Sequence, residues 1–138
     1  MNRRDFQKLA RIRLEDVQAL LKQRSYSGAY YLCGYIVECG LKACIAKKTR
    51  EFDFPPDPTT IRDIYVHDLE KLVKAAGLKP ALDKDLQKDR NLEVNWALVK
   101  DWTEKSRYEE HGQTKAENLY DAITDKKHGV LQWISRRW

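Results

Sequence analysis

Two arginine–histidine pairs stand close enough in this chain to share one reaction. Arg62 precedes His67 with four residues between them, and Arg107 precedes His111 with three. A histidine near neutral pKa can move the proton of a 2'-hydroxyl, and an arginine can stabilise the charge that builds on a phosphorane. In a chain this rich in arginine, about one such match is expected by chance, so spacing alone does not select a pair. His67 also precedes Asp68 and Leu69 at a predicted helix start. A capping role for a neutral imidazole therefore competes with a role as base or ligand contact.

Three further groups carry polar or stacking potential. Glu38 and Lys42 are four apart, the favourable order for an ion pair along a helix. They form either a pair on a partly exposed seam or a polar spot inside the fold that grips a ligand or orders Arg107. Trp102 stands just before a polar segment with Lys105 and Arg107, where an indole can stack on a base. Packing is the default expectation for all four tryptophans, Trp96, Trp102, Trp133 and Trp138, with stacking the alternative held for Trp102. Arg107 is the expected phosphate contact, because its fork matches phosphate oxygens. Glu104, Glu109 and Glu110 crowd the same segment and weaken its attraction for polyanions.

The elements that must position these groups all read as helices. Phe6, Ala10, Leu14, Val17 and Leu21 form one apolar stripe, predicting a helix from about Asp5 to Arg24. Ser25 or Ser27 can cap the next one. Residues 27–47, SGAYYLCGYIVECGLKACIAK, are apolar almost all the way round. Such a helix must be wrapped by others. Gly34 and Gly40 cost helix stability, so they predict close approach of another helix or a partner chain. Residues 51–66 hold three of the four prolines and read as a loop. A third helix is expected from about His67 to Ala76, ended by Gly77. A fourth starts near Pro80 and runs to Trp102, with a break near Asn91. Residues 103–112 read as a loop. Thr114 and Glu117 match a capping box that opens a last helix to about Arg136. Nothing alternates with period two for long, so no sheet is expected. The prediction is one all-α domain over residues 1–138, an antiparallel up-and-down bundle of four to five helices.

Composition bounds the partners. Charged residues make up 34% and hydrophobic ones 42% of 138 residues. Mean hydropathy is -0.72. The apolar run is interrupted by Glu38 and Lys42, so no membrane span is expected. The N-terminal MNRRDF leads straight into an amphipathic pattern without the apolar segment of a secretory leader. Cys33, Cys39 and Cys44 share one helix, which predicts buried thiols, a reducing cytoplasm and neither disulfide nor metal. The net charge of +5 is uneven: residues 1–24 carry seven basic and three acidic side chains, and residues 125–138 carry four and one. If both termini lie at one end of the bundle, that end is a basic pole. Such a pole suits nucleic acid or nucleotide phosphate, or is simply a solvated surface.

The helix carrying Glu38 and Leu41-Lys42-Ala43 resembles the second helix of the HEPN domains, the higher-eukaryote and prokaryote nucleotide-binding family. Phe54-Pro55, His67-Asp68-Leu69, then Trp102 followed by Arg107-Tyr108, are similar to later family markers and come in the family's order. The resemblance covers most of the chain. It implies an antiparallel helical bundle, commonly a homodimer, with a function tied to RNA or nucleotides. Glu38, Lys42, Trp102, Arg107 and Tyr108 would then form the nucleotide or RNA contact. It leaves three roles open: a binding module acting with a separately encoded minimal nucleotidyltransferase, a toxin-type metal-independent endoribonuclease with an antitoxin partner, or a non-catalytic interaction domain. Ribonuclease members carry an arginine followed after four to six residues by a histidine, near the start of the last long helix. Arg62 and His67 have that spacing but not that place. Arg107 and His111 have nearly that place but not that spacing. No cofactor is implied.

Overall fold

A reciprocal cap starts the first helix two residues earlier than its apolar stripe suggests. The Asn2 side chain accepts from the Asp5 N–H at 3.1 Å, and the Asp5 carboxylate accepts from the Asn2 N–H at 2.8 Å. This is a computed structural model, and it describes residues 1–52, 62 and 65–138. Among them are seven α-helices, one 3-10 turn and no strand. The all-α class is therefore as expected. The helix number exceeds the four to five read from the sequence, because two of the predicted long helices are each broken.

Helix α1 spans Arg3–Lys22 and α2 spans Tyr26–Phe52. The turn between them places Arg24 at φ 57, with the Ser25 N–H closing onto the Leu20 carbonyl at 2.9 Å. So short a turn makes the pair an antiparallel hairpin. Helix α2 extends past Lys47 to Phe52, into the stretch expected to be loop. The Phe54-Pro55 marker lies outside the described residues.

Then come α3, Leu69–Ala75, α4, Lys79–Lys88, and α5, Arg90–Lys100. Asp68, not His67, caps α3, accepting from the Lys71 N–H at 3.1 Å. The expected break near Asn91 occurs at Asp89, which ends α4 and caps α5 through the Leu92 N–H. A 3-10 turn at Glu104–Tyr108 follows, then α6, Gln113–Thr124, and α7, Val130–Ser135. The Thr114–Glu117 capping box does not form. Gly112 holds the N-cap position without a side-chain cap, and Glu117 instead accepts from Gln113 Nε2 at 3.0 Å. The expected single last helix is also two. Asp125 turns the chain by accepting from the His128 N–H at 2.6 Å and the Lys127 N–H at 3.2 Å.

Helix α2 is the axis of the core, and α1, α3, α6, α7 and the 3-10 turn all pack on it. Ile36, Val37, Leu41, Ala43 and Ile45 are buried there with Cys33, Cys39 and Cys44. The thiols are unpaired. Burial pushes Cys33 up to about 12 and Cys39 and Cys44 to about 11. By length and composition the Tyr26–Thr49 stretch is apolar enough to cross a membrane, but 72% of its most apolar window is buried inside this fold. Both glycine predictions resolve within the chain. A Cβ on Gly34 would fall inside the Trp102 ring, and one on Gly40 would meet Ile134 at 3.0 Å. The glycine faces are thus covered by the chain itself and are not free for a second copy. The two ends meet as anticipated: the Arg3 guanidinium donates to the Trp138 carbonyl at 2.9 Å. Arg11 lies over the Trp138 ring at 5.5 Å, which gathers part of the basic pole.

The Asp89 junction yields a pH test. His128 Nδ1 lies 2.7 Å from the Asp89 carboxylate. That imidazole first, and the Leu92 N–H second, hold the Asp89 carboxyl below its ordinary value of 3.8. A lowered folded pKa gives stability that is complete above the unfolded value and is lost as pH falls through the folded one. Asparagine at this position keeps the cap but not the charge. Asp89→Asn should therefore melt below the wild type near about pH 5, and the two should converge toward about pH 2.5. A gap that stays constant through that range would remove the His128 pair as its source.

Candidate functional site

The buried carboxylate of α2 is where the site begins. Glu38 is 4% exposed in the core helix, where an isolated charge would be costly. Two groups compensate it. Lys42 Nζ lies 3.8 Å from Glu38 Oε1, and His67 Nδ1 lies 2.5 Å from the same oxygen. The i,i+4 pair expected from the sequence is therefore present, with His67 as an unexpected third member. His67 reaches Glu38 because Asp68 takes the cap and leaves the residue before it pointing back across α2. The contact orients the imidazole through Nδ1. Nε2 has no hydrogen-bond partner among the described residues, and the side chain is 42% exposed.

One turn back along α2, Tyr35 joins His67 to the 103–109 segment. Its ring meets His67 edge-on at 6.0 Å and Trp102 edge-on at 5.2 Å. Its hydroxyl lies 3.2 Å from that of Tyr31. Burial first, then the Tyr31 hydrogen bond and the Glu38 charge, push the Tyr35 hydroxyl up, while Arg107 pulls it down. Arg107 is exposed and lies over the Tyr108 ring at 4.8 Å. Tyr108, and after it Tyr31, hold the guanidinium above its ordinary value. The order along this surface is Glu38, His67, Tyr35, Tyr31, Arg107, Tyr108.

Beside His67 runs a groove of about 440 Å³, lined among others by Tyr65, Asp68, Lys100, Trp102 and Lys105. That size falls in the range of small-ligand sites. Asp68, Glu70 and Glu104 also line it, so this groove is not itself a basic channel. Lys100 and Lys105 also line it, and the exposed Arg107 lies farther along the same segment.

The structure bears on several expectations about the site. Trp102 is not available to a base: it is 1% exposed and packs into the space left by Gly34. It forms a wall and an anchor for the segment that follows. Its indole N–H is buried without an acceptor among the described residues. Arg107 and His111 do not form a pair. His111 is turned into the protein, its side chain 3% exposed, and stacks on Tyr30 at 3.9 Å. Its Nε2 is 3.1 Å from the Glu109 carboxylate, but off the line a hydrogen bond needs. Among the described residues no hydrogen bond joins the Arg62 side chain to His67. Arg62 is exposed, and its carbonyl accepts from the Tyr65 N–H at 3.3 Å. Of the two serines that could cap α2, Ser27 lies inside the helix and its hydroxyl is turned to another partner. The Ser27 hydroxyl accepts from the His111 N–H at 2.9 Å and lies 3.3 Å from its carbonyl, tying the loop end to α2.

The pairing the fold does make, His67 with Glu38 on one side of Tyr35 and Arg107 on the other, joins three separate elements. No short motif encodes it. Among the described residues no group of three histidine, cysteine or acidic side chains is arranged to hold a metal ion.

No family model, curated protein or solved structure matches the chain. The arrangement of side chains therefore carries the functional argument.

Proposed function

We propose that this chain is a HEPN-like module that binds RNA or a nucleotide at the surface running from His67 to Arg107, in the cytoplasm and as a homodimer, together with a separately encoded nucleotidyltransferase. The observation that supports it is the oriented imidazole of His67 on the buried Glu38 carboxylate, separated from the exposed Arg107 guanidinium only by Tyr35 and Tyr31. A guanidinium matches phosphate oxygens, and a fixed imidazole can hydrogen-bond a neighbouring hydroxyl or phosphate. The dimer surface would lie away from Gly34 and Gly40, whose faces the chain already covers.

Binding of ATP, other nucleotides and a short single-stranded RNA, read as a rise in melting temperature and by titration, tests this. Arg107→Ala removes a charge-assisted contact and should weaken affinity about tenfold or more. A flat response across the panel at millimolar concentration would leave only a protein-interaction role.

One observation favours a second reading, a metal-independent ribonuclease. A carboxylate that fixes a histidine through Nδ1 leaves Nε2 to act as a base, the logic of an orienting acid behind a catalytic imidazole. On this reading RNA is cut in EDTA, activity is lost in His67→Ala, and it survives in His111→Phe, whose site is buried away from the surface. Loss in the His111 variant with retention in His67→Ala would reject it.

A further inference from the structure

The exposed ring of Tyr108 stands out among the groups the phosphate reading does not use. It is 80% exposed, one of the few large apolar side chains left open to solvent among the described residues. It is also presented on a firm support. The 3-10 turn that carries it closes through the Ser106 N–H and Oγ onto the Thr103 carbonyl, at 3.1 and 2.8 Å. Trp102, immediately before that turn, is locked against Gly34. A tyrosine at the end of a fixed turn loses little conformational freedom when something lies on it.

Arg107 covers one face of the Tyr108 ring at 4.8 Å while approaching Tyr31. The cation and the aromatic plane therefore occupy one spot at the end of the surface that begins at His67. We infer that Tyr108 is a base-stacking platform, and that the ligand of this surface is recognised by its nucleobase on Tyr108 as well as by its phosphate on Arg107. The inference rests on the phosphate reading above and adds to it the part of the ligand that is not phosphate. Every nucleobase has a π-face, so such a platform is tolerant of sequence. The acidic neighbours Glu109 and Glu110 fit this division of labour: they disfavour further phosphates beyond Tyr108, whereas a neutral base is indifferent to them. Arg107 occupies only one face of the ring, and a stacking base gives a role to the exposed remainder.

The base can come from a polynucleotide or from a mononucleotide, and the test has an arm for each. Affinity is measured for a short labelled single-stranded RNA, for ATP, and for inorganic tripolyphosphate, which has charge but no base. Tyr108→Ala should weaken RNA or ATP binding about 5- to 100-fold, the range for loss of one stacked base. Tyr108→Phe, which keeps the ring, should stay within about twofold of the wild type. Tripolyphosphate should be insensitive to Tyr108→Ala and sensitive to Arg107→Ala. Response of the RNA arm alone assigns a polynucleotide, and response of the ATP arm assigns a mononucleotide. If Tyr108→Ala binds like the wild type while Arg107→Ala does not, stacking is overturned and the phosphate reading stands. If Tyr108→Phe loses as much as Tyr108→Ala, the hydroxyl is the recognised group and stacking is again overturned. If neither base-bearing probe binds the wild type, this inference and the phosphate reading both fall. Tyr108 is a surface residue, so its variants are expected to melt with the wild type.

Discussion

Gly34→Ala is expected to destabilise the chain by about 3 kcal/mol, the upper part of the range for an overpacked core. Alanine is otherwise the better helix residue by about 1 kcal/mol, so propensity alone predicts the opposite sign. Sterics decide, because the new methyl would occupy the space of the Trp102 indole, which is 1% exposed. Urea unfolding measures the effect. Trimming the ring in Gly34→Ala/Trp102→Leu should cost less than the sum of the two single changes, as expected for residues that share one space. A Gly34→Ala chain as stable as the wild type would mean that the indole moves at little cost. Trp102 would then be no fixed anchor for the turn that carries Arg107 and Tyr108.

Glu38→Ala should be the second large effect, about 3 kcal/mol, the lower end for breaking a buried pair. The loss comes less from the missing contact than from what it leaves behind, Lys42 with 16% of its side chain exposed and no carboxylate. His67 is better solvated and suffers less. Replacing both charges with apolar groups removes that penalty, so Glu38→Leu/Lys42→Met should recover most of the lost stability. The check is the pair of denaturation midpoints. A double variant as unstable as Glu38→Ala would show that shape, not charge, sets the cost. Any ligand affinity lost in the recovered double variant then comes from the site itself, the orientation of His67 or the Lys42 charge, and not from unfolding.

The elements were legible in the sequence where one local pattern sufficed. The stripe from Phe6 to Leu21 marks α1, the all-round apolar run marks the central helix, and the punctuation near Asn91 marks the α4–α5 junction. The α6–α7 break was hidden because Leu119, Ile123, Val130 and Ile134 all face the core, so the apolar spacing reads across the turn. The available signal was Asp125 with Gly129, a side-chain acceptor and a residue without Cβ bracketing the turn. Between packing and stacking the sequence could not choose for Trp102, because its partner, Gly34, lies in a different element and has no side chain to announce it. The site was legible only in its parts. Glu38, His67, Arg107 and Tyr108 could each be picked out by type. Arginine–histidine spacing could not join them, because the fold pairs His67 with a glutamate from α2 and sends His111 into the protein.

All three thiols of this protein sit on the helix at the axis of the core, on which α1, α3, α6, α7 and the 3-10 turn pack, and all three are buried in the folded chain. A thiol whose ionisation is pushed up by burial reacts only after the core around it opens. The rate at which Cys33, Cys39 and Cys44 take up an alkylating reagent is therefore a clock for the opening of the central helix. Because the clock needs no engineered label, it can run in the native chain while a ligand slows or spares it.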